Sequence, residues 1–305
     1  MTERPTTQPT VVVTGANGFV GSRVCAALAE RGAAVRAVVR RPGTAPTLPG
    51  VEERVGDFAD PAFASTVLAG ADAAVTTVYP MTSDDRQTQL DVAVKGTTEF
   101  ARAAVGAGVE RLVHISTTAV YDRSPGTGDV DEDAALVPDE AGDYAVVKRD
   151  TDIALAGVDG ITRVLVRPPA ILGAGGSSVW NTQRPAAVRD AASAPHAVAD
   201  QSFAWVHVDD LSSIVADLAV GRVAAAADVT DGPVDGGCTP VNVAAGPATA
   251  RDYWSVVAGA LGMEPVWEDK PAWTGRIVTD RAAGWGWTPR VDLAQALAEL
   301  EAGLR

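Results

Sequence analysis

The sequence has few of the residues that mark several common protein classes. Two cysteines occur among 305 residues, Cys25 and Cys238, so no disulfide framework is predicted. Of the three histidines, no two have the spacing of metal ligands, and we therefore predict no metal site. No serine stands in the sequence context of a nucleophile elbow. These absences argue against the disulfide-rich, metal-dependent and serine-hydrolase classes.

Positive charge and long apolar runs are also scarce. The chain has 25 basic against 39 acidic residues, a net charge of −14, which argues against a nucleic-acid or anionic-membrane partner. The first ten residues, MTERPTTQPT, lack the apolar core of a secretory signal. No apolar run is as long as a membrane span. We therefore expect a cytoplasmic protein with no membrane partner.

What the sequence does have is a regular alternation of apolar runs and helical patterns. The predicted strands are TVVVTG (10–15), AVRAVVR (34–40), EERVGD (52–57), DAAVTTV (72–78), RLVHIS (111–116) and TRVLVRPPAI (162–171). The predicted helices lie near 18–31, 60–69, 86–107 and 142–157. Nearly continuous apolar strands separated by helices are typical of a parallel sheet that is covered on both faces. The fold class is therefore α/β, with a Rossmann-type doubly wound parallel sheet.

The alternation loosens beyond residue 171. We predict a cofactor-binding part over 1–170 and a smaller, mainly substrate-binding lobe over 171–305, with segments near 203–220 and 239–245 returning to the first part. All seven tryptophans lie in this second part, from Trp180 to Trp287. They either pack the smaller lobe or line an aromatic substrate cleft, and the sequence leaves both interpretations open.

Three glycines between the first strand and the first helix form the clearest motif. Gly15 permits a tight turn, Gly18 lets the backbone approach a pyrophosphate, and Gly21 lets the helix pack against the sheet. The helix N-terminus then offers N–H groups and the positive end of its dipole to phosphates. Since a strand precedes the motif and a helix follows it, we predict a dinucleotide site.

The end of the second strand distinguishes NAD from NADP. An acid there would accept a hydrogen bond from the ribose 2′-hydroxyl, whereas this chain has Arg40 and Arg41, which suit a 2′-phosphate. The predicted cofactor is therefore NADPH (NADP⁺). Asp57, after the third strand, is placed to accept a hydrogen bond from the adenine amino group.

A tyrosine and a lysine four residues apart are the candidate catalytic pair. Tyr144 and Lys148 share one face of a predicted helix. A nearby ammonium stabilises phenolate, so such a tyrosine can exchange a proton with a carbonyl or alcohol oxygen near neutral pH. Thr117 follows the fifth strand, at the end of the sheet where open parallel sheets bind ligands.

Taken together, these stretches resemble the extended short-chain dehydrogenase/reductase superfamily. The matching motifs appear in the expected order over about two thirds of the chain: TGANGFVG (14–21), GDF (56–58), ISTTAVYD (115–122), YAVVK (144–148), RPPAILGAG (167–175) and WVHVDDL (205–211). Two further stretches, AVVRRPG (37–43) and VTTVYPM (75–81), are most similar to the dihydroflavonol-reductase-like and hydroxysteroid-dehydrogenase-like branches.

The resemblance implies a role for each matching residue. Tyr144 would protonate the substrate carbonyl, Thr117 would hold the same oxygen, and Lys148 would bind the nicotinamide ribose. The implied cofactor-binding residues are Gly15, Gly18, Phe19, Val20, Gly21, Arg40, Arg41, Asp57, Phe58, Thr77, Val78, Tyr79, Tyr144, Lys148 and Pro168. The candidate substrate residues are Tyr79, Trp180, Phe203 and Trp205. Relatives often form homodimers through the helices near 90–107 and 142–157, so a homodimer is also an expectation.

Two departures from the superfamily pattern bear on the reaction. Nucleotide-sugar dehydratases carry an acidic pair where this chain has Thr118 and Ala119, and nucleotide-sugar enzymes usually carry an arginine where it has Phe203. We therefore expect an NADPH-dependent ketoreductase that acts on a small, uncharged, apolar or aromatic carbonyl compound. The alternatives are a nucleotide-sugar epimerase or reductase of the same fold, and a non-catalytic NADP(H)-binding regulator.

Overall fold

The protein is described by a computed structural model that covers residues 8–80 and 85–305. Most of the MTERPTTQPT segment and Met81 of VTTVYPM fall outside these ranges. The strands are β1 Thr10–Thr14, β2 Ala34–Val39, β3 Val51–Val55, β4 Ala73–Thr76, β5 Arg111–Ile115, β6 Thr162–Arg167, β7 Ala170–Leu172, β8 His196–Ala197, β9 Trp205–His207, β10 Cys238–Asn242 and β11 Val266–Trp267.

Helices follow most of these strands. They are α1 Phe19–Glu30, α2 Pro61–Leu68, α3 Arg86–Gln89, α4 Thr97–Gly106, α5 Asp143–Ala156, α6 Arg184–Ala191, α7 Val208–Ala219, α8 Ala250–Ala260, α9 Asp280–Gly284 and α10 Leu293–Leu304. A π-helical segment, Leu90–Gly96, joins α3 to α4 without a break in the chain, and a second, Val179–Gln183, precedes α6. None of the helices in the described ranges has the length and apolar character needed to cross a bilayer.

Seven strands form one sheet in the order β10-β6-β5-β4-β1-β2-β3. The neighbouring pairs from β6 to β3 all run parallel. The order β3-β2-β1-β4-β5-β6 is that of the Rossmann fold, in which the strand order reverses between β1 and β4. The predicted α/β class and doubly wound parallel sheet are thus confirmed, and ligands are expected at the carboxyl ends of β1 and β4.

The described residues divide into two compact units. The first comprises the chain up to Ser116 together with Gly142–Val166 and Ser212–Pro240, and the second comprises Thr117–Ala141, Arg167–Leu211 and Val241–Arg305. These boundaries follow from contacts between residues. The predicted division at residue 170 separates a cofactor-binding part from a substrate-binding part, and it stays a prediction.

Each unit has its own core. A cluster in the first unit packs β1, α2, α4 and β5 around Phe58 and Phe100, whose rings meet edge to face at 6.0 Å. In the second unit one cluster surrounds Trp205 and Tyr253, and another surrounds Tyr121 and Trp273. The unit that carries the glycine motif therefore has an apolar core of its own.

Candidate active site

The glycine loop after β1 has the geometry that a dinucleotide site needs. Gly15 has a φ of +68°, and a Cβ there would lie 2.6 Å from Thr77 Oγ1. At Gly21 a Cβ would lie 2.2 Å from the carbonyl oxygen of Gly15, which is rigid backbone. Gly15 is therefore required both for its positive φ and for the close approach of Thr77, and Gly21 is required for the close approach of the Gly15 carbonyl group.

The start of α1 fits a phosphate. Gly18 is its N-cap and supplies no side-chain hydrogen bond, and the first turn holds no acidic residue. Phe19 and Val20 begin the helix and are partly exposed. Since the first N–H groups of a helix lack intrahelical partners, they can donate to a pyrophosphate at this point.

The segment after β4 lies against the glycine loop. Thr77 Oγ1 donates to the carbonyl oxygen of Thr14 at 2.8 Å, and Val78 Cγ2 would be 3.1 Å from a Cβ on Gly15. The hydroxyl of Tyr79 donates to Gln89 Oε1 at 3.2 Å. The structure therefore brings these predicted cofactor residues to the point where the strand order reverses.

The residues predicted to recognise the adenosine half follow β2 and β3. Arg40 and Arg41 come directly after β2 and are exposed. Asp57 is exposed as well, and its Oδ1 accepts a bond from the N–H of Ala59 at 3.0 Å. The Phe58 ring packs in the core against Phe100, so its side chain is not available to a ligand at the surface.

The predicted catalytic pair lies at the start of α5. Tyr144 is 40% exposed, whereas Lys148, one turn later, is 4% exposed. The Tyr79 ring links them: it meets the Tyr144 ring edge to face at 5.0 Å, and Lys148 Nζ lies 5.3 Å from its centroid. An accessible phenol, a second phenol and a buried ammonium thus form one cluster in the first unit.

Burial shapes the protonation of this cluster. Desolvation lowers the pKa of Lys148 to about 8, while the carboxylate of Asp152 acts in the opposite direction. The ammonium donates to the carbonyl oxygen of Ile115 at 2.8 Å, which fixes its position. Desolvation, with further contributions from Tyr144 and Asp143, raises the pKa of Tyr79 to about 12. Tyr79 is therefore a poor proton donor, although it stands beside Tyr144.

Thr117 and Pro168 belong to the second unit. Thr117 is buried, and its Oγ1 accepts a bond from the N–H of Ala119 at 3.1 Å. The N–H of the next residue, Thr118, donates to the carbonyl oxygen of Pro168 at 2.9 Å. These bonds hold the two predicted residues on adjacent segments, and their roles toward a ligand stay predictions.

The aromatic substrate candidates are mostly packed. Trp205 is 1% exposed and Phe203 is 7% exposed. The Phe203 ring stacks on Tyr253 at 4.6 Å and meets Trp180 edge to face at 5.1 Å. For Trp205 and Phe203 this favours core packing, whereas Trp180 and Tyr79 remain partly exposed candidates.

Other polar residues near the site were not anticipated from the sequence. Gln89, which accepts the bond from Tyr79, ends α3 and carries no motif. His114, on β5, is fully buried beside Thr76 Oγ1 at 2.8 Å, and desolvation and Lys148 hold its pKa well below the usual range. Among the described residues, no group of three or more histidine, cysteine or carboxylate side chains could hold a metal ion.

Known proteins share this architecture. Residues 11–223 match the model of the NAD dependent epimerase/dehydratase family. A solved structure, the Bordetella bronchiseptica enzyme WbmG in complex with NAD, superposes with a TM-score of 0.74 over 99% of this chain and 96% of that chain, at 18% identity. At that identity the likeness concerns the fold alone.

Relatives at higher identity match shorter segments. Sterol demethylase protein B of Methylococcus capsulatus is 35% identical over 171 residues, 54% of this chain and 52% of that protein. A 3 beta-hydroxysteroid dehydrogenase/Delta 5→4-isomerase of Mycobacterium tuberculosis is 30% identical over 181 residues, 56% and 49% respectively. The chain thus spans about half the length of the curated relatives that it matches. The resemblance drawn from the motifs is confirmed, and the chain belongs to the NAD dependent epimerase/dehydratase family of extended short-chain dehydrogenases/reductases.

Proposed function

We propose that the protein is an NADPH-dependent ketoreductase that reduces the carbonyl group of a small, apolar or aromatic compound. The observation that carries this proposal is the cluster of Tyr144, Tyr79 and Lys148. In it an accessible phenol lies one helical turn from a buried ammonium that the Ile115 carbonyl holds in place. That arrangement suits proton transfer to an oxygen atom at the surface of the first unit.

The glycine loop is evidence for a dinucleotide cofactor, and Arg40 and Arg41 are evidence for NADPH as that cofactor. Gly15, Gly21 and the start of α1 would hold the pyrophosphate. The two guanidinium groups, exposed after β2, would pair with a 2′-phosphate. When bound, the nicotinamide supplies a hydride for reduction.

The residues of the chain would manage the proton. Tyr144 would donate its hydroxyl proton to the carbonyl oxygen, and the Lys148 ammonium would stabilise the phenolate that remains. Tyr79 packs against both groups, but its raised pKa makes it a poor proton donor, whereas Tyr144 is the more exposed of the two phenols. We expect most of the rate enhancement to come from the positioning of substrate and cofactor and from electrostatic stabilisation of the transition state.

The proposed substrate class rests on residues that a nucleotide sugar would not favour. Phe203 fills an aromatic cluster where related nucleotide-sugar enzymes usually carry an arginine, and Thr118 and Ala119 replace an acidic pair. One relative is named as a hydroxysteroid dehydrogenase, and steroids are apolar polycyclic compounds. The homodimer suggested by the resemblance remains a separate proposal.

The first prediction tests the proton donor. Tyr144→Phe removes only the hydroxyl, so NADPH should bind nearly as tightly, while kcat for ketone reduction should fall by roughly 100-fold or more. NADPH oxidation is followed with a panel of aromatic and polycyclic ketones, and cofactor binding is measured by titration. Tyr79→Phe is the comparison, because it removes the neighbouring phenol and should lower turnover much less. Near-normal kcat in Tyr144→Phe would show that Tyr144 is not the donor.

A further inference from the structure

The loop between β2 and β3 is folded around one carboxylate. The N–H groups of Gly43, Thr44 and Ala45 donate to the side chain of Glu53 at 2.9, 3.0 and 3.0 Å. Gly43 has a φ of +73° and follows Pro42, as in a turn that needs glycine at its third position. Three consecutive amides thus point at one side chain instead of at solvent.

The strand pairing holds this carboxylate in place. Glu53 lies in β3, in register with Ala37 of the parallel strand β2. Its pKa is lowered by the bonds from Gly43, Ala45 and Thr44, against an opposing effect of desolvation, so the side chain is anionic at neutral pH. A fixed negative charge therefore occupies the anion-binding concavity that the three amides create.

The same loop is tied to the glycine motif on its other side. Thr44 Oγ1 donates to the carbonyl oxygen of Arg41 at 2.7 Å, and Asn17 Nδ2 donates to Thr44 Oγ1 at 3.4 Å. Asn17 lies within the glycine loop, between Gly15 and Gly18. The backbone that carries Arg41 is therefore held from β3 and from the glycine loop together.

We propose that Glu53 is a positioning residue that sets the selectivity of the protein for NADPH over NADH. By binding three amides of the loop, its carboxylate fixes the backbone that begins with Arg40 and Arg41. Recognition of the 2′-phosphate itself is left to the two guanidinium groups, which the ordered loop holds in place. This inference rests on the proposed use of NADPH.

The expected size of the effect follows from pre-organisation. Without the carboxylate the three amides bond to water, and the loop samples conformations in which the arginines are misplaced. The apparent Kd for a ligand that needs the ordered loop rises by the inverse of the fraction that remains ordered. We expect the Kd of NADPH to rise roughly 10-fold in Glu53→Ala, with a change of about 2-fold or less for NADH, which lacks the 2′-phosphate.

Binding titrations on the full chain test this inference. The ligands are NADPH, NADH and the fragments 2′,5′-ADP and 5′-AMP, and the variants are Glu53→Ala and Glu53→Gln. Glu53→Gln keeps the shape and one acceptor oxygen, so its Kd for NADPH should fall between those of wild type and Glu53→Ala. Glu52→Ala is the matched control, since the adjacent Glu52 is exposed and pairs with Arg54 instead of with the loop. Arg40→Asp is the reference for direct loss of a phosphate contact.

Hydrogen exchange gives a second measurement that does not depend on the cofactor. The amides of Gly43, Thr44 and Ala45 should exchange faster in Glu53→Ala than in wild type, and those of β1 should not change. Faster exchange throughout the sheet would instead indicate general destabilisation and would overturn the positioning role. If Glu53→Ala fails to fold, Glu53→Gln carries the same comparison.

The outcomes separate the two proposals. Selectivity that falls in Glu53→Ala and persists in Glu52→Ala supports the inference. A wild-type preference for NADPH that Glu53→Ala retains overturns the inference and leaves the proposed cofactor intact. A wild type that binds NADPH no better than NADH, with Arg40→Asp without effect, overturns the proposed cofactor and the role of Glu53 with it.

Discussion

Among single residues, Lys148 combines nearly complete burial with a positive charge. Its pKa is about 8 in the folded protein, against 10.5 for an unperturbed lysine. Because the folded pKa is depressed, the unfolded chain binds the proton more tightly, and the free energy of unfolding is lower below pH 8 than above pH 10.5. At pH 7 the free energy of unfolding is therefore about 3 kcal/mol lower than it is above pH 10.5.

The second prediction follows from this charge. Lys148→Met keeps an apolar stem and removes the ammonium, with loss of the bond to Ile115, about 1 kcal/mol. The variant should therefore be more stable than wild type by about 1–3 kcal/mol at pH 7, and inactive. Urea unfolding at pH 7 and at about pH 10 measures the difference at both values.

The pH dependence of this difference has a definite sign. The advantage of Lys148→Met should shrink as pH rises from about 8 to 10.5, because the wild type gains stability over that range. Two results would contradict this prediction: a Lys148→Met variant that is less stable than wild type at pH 7, or a stability difference that does not change with pH. Either result would mean that the carboxylate of Asp152 offsets the desolvation of the ammonium completely.

Residues also differ in how far the sequence could predict them. The spacing of Tyr144 and Lys148 places them on one helical face, and the structure has them there. The placement of Tyr79 between them, and of Glu53 under the loop, depends on contacts across the sheet that have no local signal. Trp205 shows the limit of composition, because aromatic residues serve a core and a cleft equally well.

At the scale of elements, the glycine loop and α1 form a unit whose packing leaves no room for a side chain. In Gly21→Ala the new Cβ would meet the Gly15 carbonyl oxygen at 2.2 Å and its carbon at 2.9 Å, both backbone atoms that cannot rotate away. The third prediction is that this variant loses about 1–3 kcal/mol of stability and binds NADPH more weakly. Thermal unfolding and cofactor titration measure the two effects.

Gly106→Ala provides the control for this substitution. Gly106 ends α4, and a Cβ there would meet no atom within 4 Å. Alanine has the higher helix propensity, so stability should be unchanged or slightly raised and NADPH binding unaffected. A Gly21→Ala variant that behaves like Gly106→Ala would show that α1 can shift away from the loop without strain.

The elements of the first 170 residues could largely be predicted from periodicity, and the later ones could not. Strands β1 and β2 and helices α1 and α5 lie within a residue of their predicted ranges, and the strand predicted over 162–171 is divided between β6 and β7. The helix predicted over 86–107 contains the π-helical segment Leu90–Gly96. The spacing of apolar residues in the sequence gives no signal for this segment. The short strands β8 and β11 pair with each other from distant parts of the chain, so only the tertiary fold defines them.

At the scale of the whole molecule, a net charge of −14 opposes the binding of any anion. An anionic ligand therefore needs local cations, and we propose that Arg40 and Arg41 supply them to the cofactor. In the second unit, Trp180 is the partly exposed member of the aromatic cluster that it forms with Phe203 and Tyr253, and Arg184 lies over its ring at 4.2 Å. A buried diphosphate without a cationic partner would carry a large desolvation cost.

The last prediction concerns the substrate class. An apolar polycyclic ketone gains about 25 cal/mol for each Å² that it buries, together with aromatic contacts, whereas a nucleotide sugar must bring its diphosphate against the net charge. We therefore expect aromatic or polycyclic ketones to be reduced with NADPH, and UDP- and dTDP-4-keto sugars to be neither bound nor turned over. A competition assay with calorimetry measures both, and Arg184→Gln is the control. Micromolar binding of a nucleotide sugar that Arg184→Gln abolishes would favour the epimerase alternative. In that case the exposed Arg184 guanidinium would bind the diphosphate, in place of the arginine that related nucleotide-sugar enzymes usually carry at the position of Phe203.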